Sequence, residues 1–125
     1  MSLVKDDERG APQFRFRKRE RIRTRREIGA VFDKGVRWSV KGMRIHVLPN
    51  NGPVSRAVFV TVRKYGNAVA RNRARRVVSE CWRLAKGSLK AGYDAVFVIY
   101  PGPDEASVRS PQMNELVRRA GLGAS

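Results

Sequence analysis

Ala70, Ala74, Val77, Cys81 and Leu84 recur at spacings of three and four in the middle of the chain. That period predicts a helix with one apolar face. Val78 and Ala85 widen the face, Arg75, Arg76 and Arg83 point away from it, and Arg71 and Arg73 stand on its flanks. On a flank, a long stem lies along apolar surface while its charge stays in water. Asn67 is placed to cap this helix, with Gly66 as a tight lead-in. Upstream, Thr24 and Glu27 have the spacing of a capping box. They open a short helix from Arg25 to about Lys34, with Ile28, Val31 and Phe32 on one side and Gly35 as its stop.

Between the helices the pattern changes to that of strands. Residues 36–40 read as a short extended piece with Trp38 as an exposed ring, and Gly42 marks a bend. Residues 43–48 alternate imperfectly and residues 56–62 are rich in Val; both read as strands. Pro49-Asn50-Asn51-Gly52-Pro53 is a strong turn signal, so an antiparallel hairpin is expected between them. Residues 93–100 are almost continuously apolar, which predicts a central strand buried on both faces, ended by Pro101-Gly102-Pro103. Ser110 as N-cap and Pro111 at the first helical position open a last helix, striped by Met113, Leu116, Val117 and Ala120.

The order is α-β-β-β-α-β-α, with helices set against a sheet. This predicts an α+β two-layer sandwich. The expected organisation is a disordered tail over residues 1–13, one α/β domain over 14–121, and a short tail over 122–125. The sheet's free face, the arginine-rich helix and the basic arm around Phe14 and Phe16 are placed to bound a groove. Those two rings either pack onto the domain or stack on unpaired bases.

Charge sharpens this picture. The 125 residues carry 27 Lys and Arg against 11 acidic residues, a net charge of +16. Self-repulsion on that scale is costly without a polyanion nearby. Arg71, Arg73, Arg75 and Arg76 also crowd the first half of their helix, where its dipole disfavours cations. An anionic partner explains this better than stability does, and arginine forks match phosphate. No apolar run is long enough to span a bilayer. No helix joins a basic face to an exposed aromatic one as membrane-surface binders do. The first residues do not form a signal peptide. Cys81 is the sole cysteine and reads as a small buried hydrophobe, which suits a cytoplasmic protein without disulfides or a cysteine-based zinc site.

Catalytic inventory is thin. His46 is the only histidine and has no general-base partner beside it in sequence. It is either a structural residue or a contact in the groove. Asp33, Asp94, Asp104 and Glu105 lack the spacing of a two-metal carboxylate site, and no phosphate-binding P-loop is present. A binder fits better than a self-contained catalyst. Aromatic residues near basic ones favour single-stranded RNA, and no zinc-finger or leucine-zipper pattern supports duplex DNA.

Tyr65-Gly66-Asn67-Ala68-Val69-Ala70-Arg71-Asn72-Arg73-Ala74-Arg75-Arg76 resembles the signature of the bacterial ribonuclease P protein component, centred on Arg71-Asn72-Arg73. The resemblance extends to Glu20-Arg21-Ile22-Arg23, Val31-Phe32 with Gly35, the strand ending in Arg63-Lys64, and Asp94. It implies a fold like the second domain of ribosomal protein S5, with a parallel strand pair and an unusual left-handed crossover through the arginine-rich helix. It implies a monomeric protein bound to a catalytic RNA. That RNA, with Mg2+ held mainly by itself and its substrate, removes the 5′ leader of precursor transfer RNA. The protein would supply no catalytic residue. By position, Arg63, Lys64, Asn67, Arg71, Asn72, Arg73, Arg75 and Arg76 would contact the catalytic RNA or rim the cleft. Phe16, Arg17, Ile28, Phe32, Trp38 and His46 would line the leader-binding cleft. Ile28 stands where the family usually has phenylalanine, His46 where tyrosine is frequent, Ala74 where a larger aliphatic is usual and Ser79 where a basic residue is usual. The alternative is a ribosomal or ribosome-assembly RNA-binding protein with no part in catalysis.

Overall fold

The computed structural model describes residues 20–22 and 24–123. The elements are α1 (Arg25–Lys34), β1 (Val36–Val40), β2 (Met43–Pro49), β3 (Arg56–Thr61), α2 (Ala68–Ala85), a 3-10 turn (Lys86–Ser88), β4 (Tyr93–Ile99) and α3 (Ala106–Arg119). The four strands form one sheet in the order β1-β2-β4-β3. The expected tail over residues 1–13 lies outside the described residues, as do Phe14, Phe16 and Arg17.

The apolar run of β4 takes the central place predicted for it, antiparallel to β2 and parallel to β3. The expected β2–β3 hairpin is therefore not formed, because β4 lies between those strands. The tight hairpin joins β1 to β2 instead, through Lys41 and Gly42. A turn signal sets where a strand ends, and burial chooses its neighbour. The most apolar strand is best covered with a strand on each side.

Strand alternation gives the sheet two faces. Met43, Ile45, Val47, Ala57, Phe59, Ala95, Phe97 and Ile99 face α2 and α3 and form the larger core with Ala74, Val78, Cys81, Trp82, Met113, Leu116 and Val117. On the opposite face, Val96 and Val98 pack with Ile22 and with Val31 of α1. Leu122 was expected in a tail but is buried in the larger core, where its carbonyl accepts from Lys90 N at 2.8 Å.

Two helices depart from expectation. In α2 the buried residues are Ala74, Val78, Cys81 and Trp82, whereas Leu84 is 60% exposed. The Trp82 ring lies 5.5 Å from that of Phe97, and Phe97 stacks on Phe59. An indole buries more area than a leucine and turns the helix toward itself. In α3 the N-cap is Glu105, and Pro111 lies inside the helix. The additional first turn carries the wholly buried Arg109, whose bonds hold it against the sheet. Those bonds outweigh the local signal of Ser110-Pro111.

Candidate nucleic-acid interface

The basic face is built from the loop that enters α2. Gly66 has φ +142°, a conformation that favours glycine. Asn67 Oδ1 then accepts from Ala70 N at 2.9 Å and caps the helix. No acidic residue stands in the first turn to offset the dipole. Arg71 reaches back and donates through Nη1 to the Gly66 carbonyl at 2.6 Å, while Arg75 Nη2 donates to Asn72 Oδ1. Two guanidiniums are thus oriented before any partner arrives. Asn72, Arg73 and Arg76 are exposed, as are Arg63 and Lys64 in the turn after β3. Arg75 and Arg76 also line an open groove of about 320 Å³ along β3, with Arg21, Ile22, Val58 and Ser79. The residues predicted for the catalytic-RNA surface therefore gather around one helix end.

The second face of the sheet, partly roofed by α1, carries Phe32, His46 and Tyr100. The Phe32 ring meets His46 edge-on, with centroids 4.6 Å apart and the planes at 72°. Ile28 is half-buried beside them, against the small core. His46 is buried and its Nε2 has no hydrogen-bond partner. Burial, then the charges of Arg44 and Arg37, hold its pKa below the usual histidine value. The Arg44 guanidinium lies 5.8 Å from the centre of the Tyr100 ring, and its Nε is also buried without a partner. Val58, Val60 and Val62 continue the face toward Arg63 and Lys64.

Trp38 does not join this set. It pairs with Ile45, whereas Arg37 pairs with His46, so the indole belongs to the face of α2 and α3. Its assignment to the cleft is corrected by strand parity. Conversely, Arg37, Arg44 and Tyr100 were missed. The spacing Arg44-x-His46 on one strand, and the period Val96, Val98, Tyr100 on another, would have found two of them.

Several carboxylates are committed to ion pairs within the protein. Asp94 accepts from Arg56 Nε at 2.9 Å and Nη2 at 2.7 Å, and from Asn50 at 2.8 Å. Glu27 accepts from Arg56 at 2.8 Å. The bonds to Asp94 raise the Arg56 pKa well above the ordinary value. Glu20 pairs with Lys86 at 2.6 Å. Among the described residues, no group of three His, Cys, Asp or Glu could hold a metal ion. The arrangement can bind phosphate and stack on bases, and it presents no activated nucleophile.

Residues 16–121 match the family model described as Ribonuclease P. The ribonuclease P protein component of Petrotoga mobilis is 34% identical over 111 residues, covering 83% of this chain and 93% of that protein. The protein component from Roseiflexus sp. is 36% identical over 100 residues, 80% of this chain and 81% of that one. Among solved structures, the Thermotoga maritima RNase P protein superposes with a TM-score of 0.69 at 29% identity, covering 79% of this chain and 96% of that chain. A Staphylococcus aureus RNase P protein superposes with a TM-score of 0.75 at 17% identity, covering 83% and 97%, which bears on the fold alone.

Proposed function

Because this chain belongs to the bacterial ribonuclease P protein family, we propose that it seats the catalytic RNA on α2 and the 5′ leader of precursor transfer RNA on the face around Phe32 and His46. It is the non-catalytic protein subunit of that ribonucleoprotein, assisting RNA-catalysed removal of the leader. The observation that carries the residue-level reading is the capped, acid-free start of α2, which displays Arg71, Asn72, Arg73 and Arg76 beside Arg63 and Lys64.

The mechanism is positional and electrostatic. Oriented guanidiniums neutralise phosphates where two RNAs converge, and release of counterions drives association. Magnesium belongs to the RNA partner's chemistry, held by the RNA and the substrate. Phe32 and Tyr100 offer ring surface to leader bases, and the buried His46 backs the Phe32 ring. Arg44 and Arg37 supply cations beside those rings. His46 in place of a tyrosine weakens the stacking contribution. The lone, buried Cys81 fits a reducing cytoplasm, and among the described residues no helix is long and apolar enough to cross a membrane.

The test is cleavage of precursor transfer RNA at low magnesium by purified catalytic RNA, with and without the chain. Leader-dependent acceleration is expected; binding to RNA with no effect on cleavage favours the ribosomal alternative. Arg73→Ala is a cleaner probe than Arg71→Ala, since Arg71 also braces the Gly66 carbonyl. Loss of one charge-assisted contact predicts roughly tenfold weaker binding of catalytic RNA. Filter binding checks this, and unchanged affinity counts against the assignment.

A further inference from the structure

Arg109 has no exposed surface, and its guanidinium is bonded on all sides. Nη1 donates to the Gly42 carbonyl and to Gln112 Oε1, both at 3.0 Å. Nη2 donates at 2.8 Å to the Tyr65 hydroxyl, the Tyr100 carbonyl and Asp104 Oδ1. Nε donates to Asp104 Oδ1 at 3.2 Å. The Tyr65 hydroxyl in turn donates to Asp104 at 2.6 Å. A buried ion pair is a poor device for stability alone, because apolar side chains of similar volume often do as well or better. Its planar fork does fix several groups in one geometry.

The groups it fixes converge on the basic loop. Tyr65 stands between Lys64 and Gly66, and its backbone N–H donates to the Val62 carbonyl at 3.1 Å. The adjoining Gly66 carbonyl is the acceptor for Arg71 Nη1 at 2.6 Å. A continuous path therefore runs from a residue buried in α3, through the Tyr65 hydroxyl, to the first arginine of Arg71-Asn72-Arg73.

We propose that Arg109 is a positioning residue for RNA recognition: acting through Tyr65, it holds Arg63, Lys64 and Arg71 where RNA phosphates meet them. This rests on the reading of α2 as the RNA-binding helix. Arg109 itself touches no RNA, since nothing of it reaches the surface.

The test uses the full chain and labelled ribonuclease P RNA, with affinity measured across a salt series. The slope of log affinity against log salt counts neutralised phosphates, at about 0.9 per phosphate on duplex and about 0.7 on single strands. Tyr65→Phe removes only the hydroxyl, and Arg109→Lys keeps the charge but not the fork. Both should lower the slope by about 1–2 and weaken binding roughly tenfold at moderate salt. Ile45→Val, a small core change outside the Arg109 hydrogen-bond network, should keep the wild-type slope. A hub that serves stability alone lowers the folded fraction and leaves the slope intact, so a wild-type slope in Tyr65→Phe overturns the proposal. If Arg109→Lys does not fold, Tyr65→Phe decides. Salt-independent binding by the unaltered chain overturns the RNA-binding reading as well, and shows itself before any variant is made.

Discussion

His46 shows what one residue can carry. Its folded pKa lies below the usual 6.5 because burial and two flanking arginines oppose the charge. The folded state therefore binds fewer protons than the unfolded state once pH drops below about 6.5. Stability should be flat above that point and fall as pH drops below it, by at most about 1.4 kcal/mol per unit. Glu80 and Glu115 have lowered pKa values and titrate in a more acidic window. Thermal melts between pH 7.5 and 5.5 check this, and His46→Tyr should remove the slope. At this scale the sequence was read well for charge and poorly for facing. Arg71-Asn72-Arg73 and the capping pair Thr24 and Glu27 announce themselves by type and spacing. Trp38 could not be assigned to a face until its pairing with Ile45 was known. Gly35 was read as a helix stop and is one, but its φ is −78°. Glycine is needed there because a Cβ would lie 2.5 Å from the Val31 carbonyl oxygen and 2.7 Å from that of Val47.

Among the elements, α2 carries the tension between stability and the proposed RNA binding. Its first turn has an arginine cluster nearby, no acid, and a single side-chain cap from Asn67. Asn67→Ala should cost the free protein about 1 kcal/mol, or about 4 °C in Tm. With RNA bound the loss should shrink, since phosphate near a helix start offsets unsatisfied N–H groups. Scanning calorimetry with and without RNA measures both. The start and run of α2 were legible because cap and period agree. Its rotation was not, because Trp82 and Leu84 differ by only two positions and the sheet decides between them. The start of α3 was hidden for a related reason: Ser110-Pro111 is a sound local signal, and the turn before it is held by bonds from Arg109 to residues as distant as Gly42.

For the molecule as a whole, the net charge of +16 makes salt act with opposite signs on folding and on binding. Raising salt from 0.05 to 0.5 M should raise the Tm of the free protein by a few degrees as self-repulsion is screened. The same change should weaken RNA binding by orders of magnitude. Melting and filter-binding series on one preparation test the pair together; a Tm that falls with salt would mean that local ion pairs dominate. The fold class and element order were legible from pattern, whereas strand adjacency was not, since a sheet's order depends on contacts distant in sequence. The central position of β4 has a consequence for how the chain is made. Synthesis delivers β1, β2, β3 and the whole of α2 before the strand that joins them, because β4 begins only at Tyr93. Until then β3 lacks its main-chain neighbour in the sheet, and the arginine helix has no finished floor to lie on. Completion must await β4, so during translation a highly cationic, half-built protein emerges beside ribosomal RNA, itself a polyanion able to shield it.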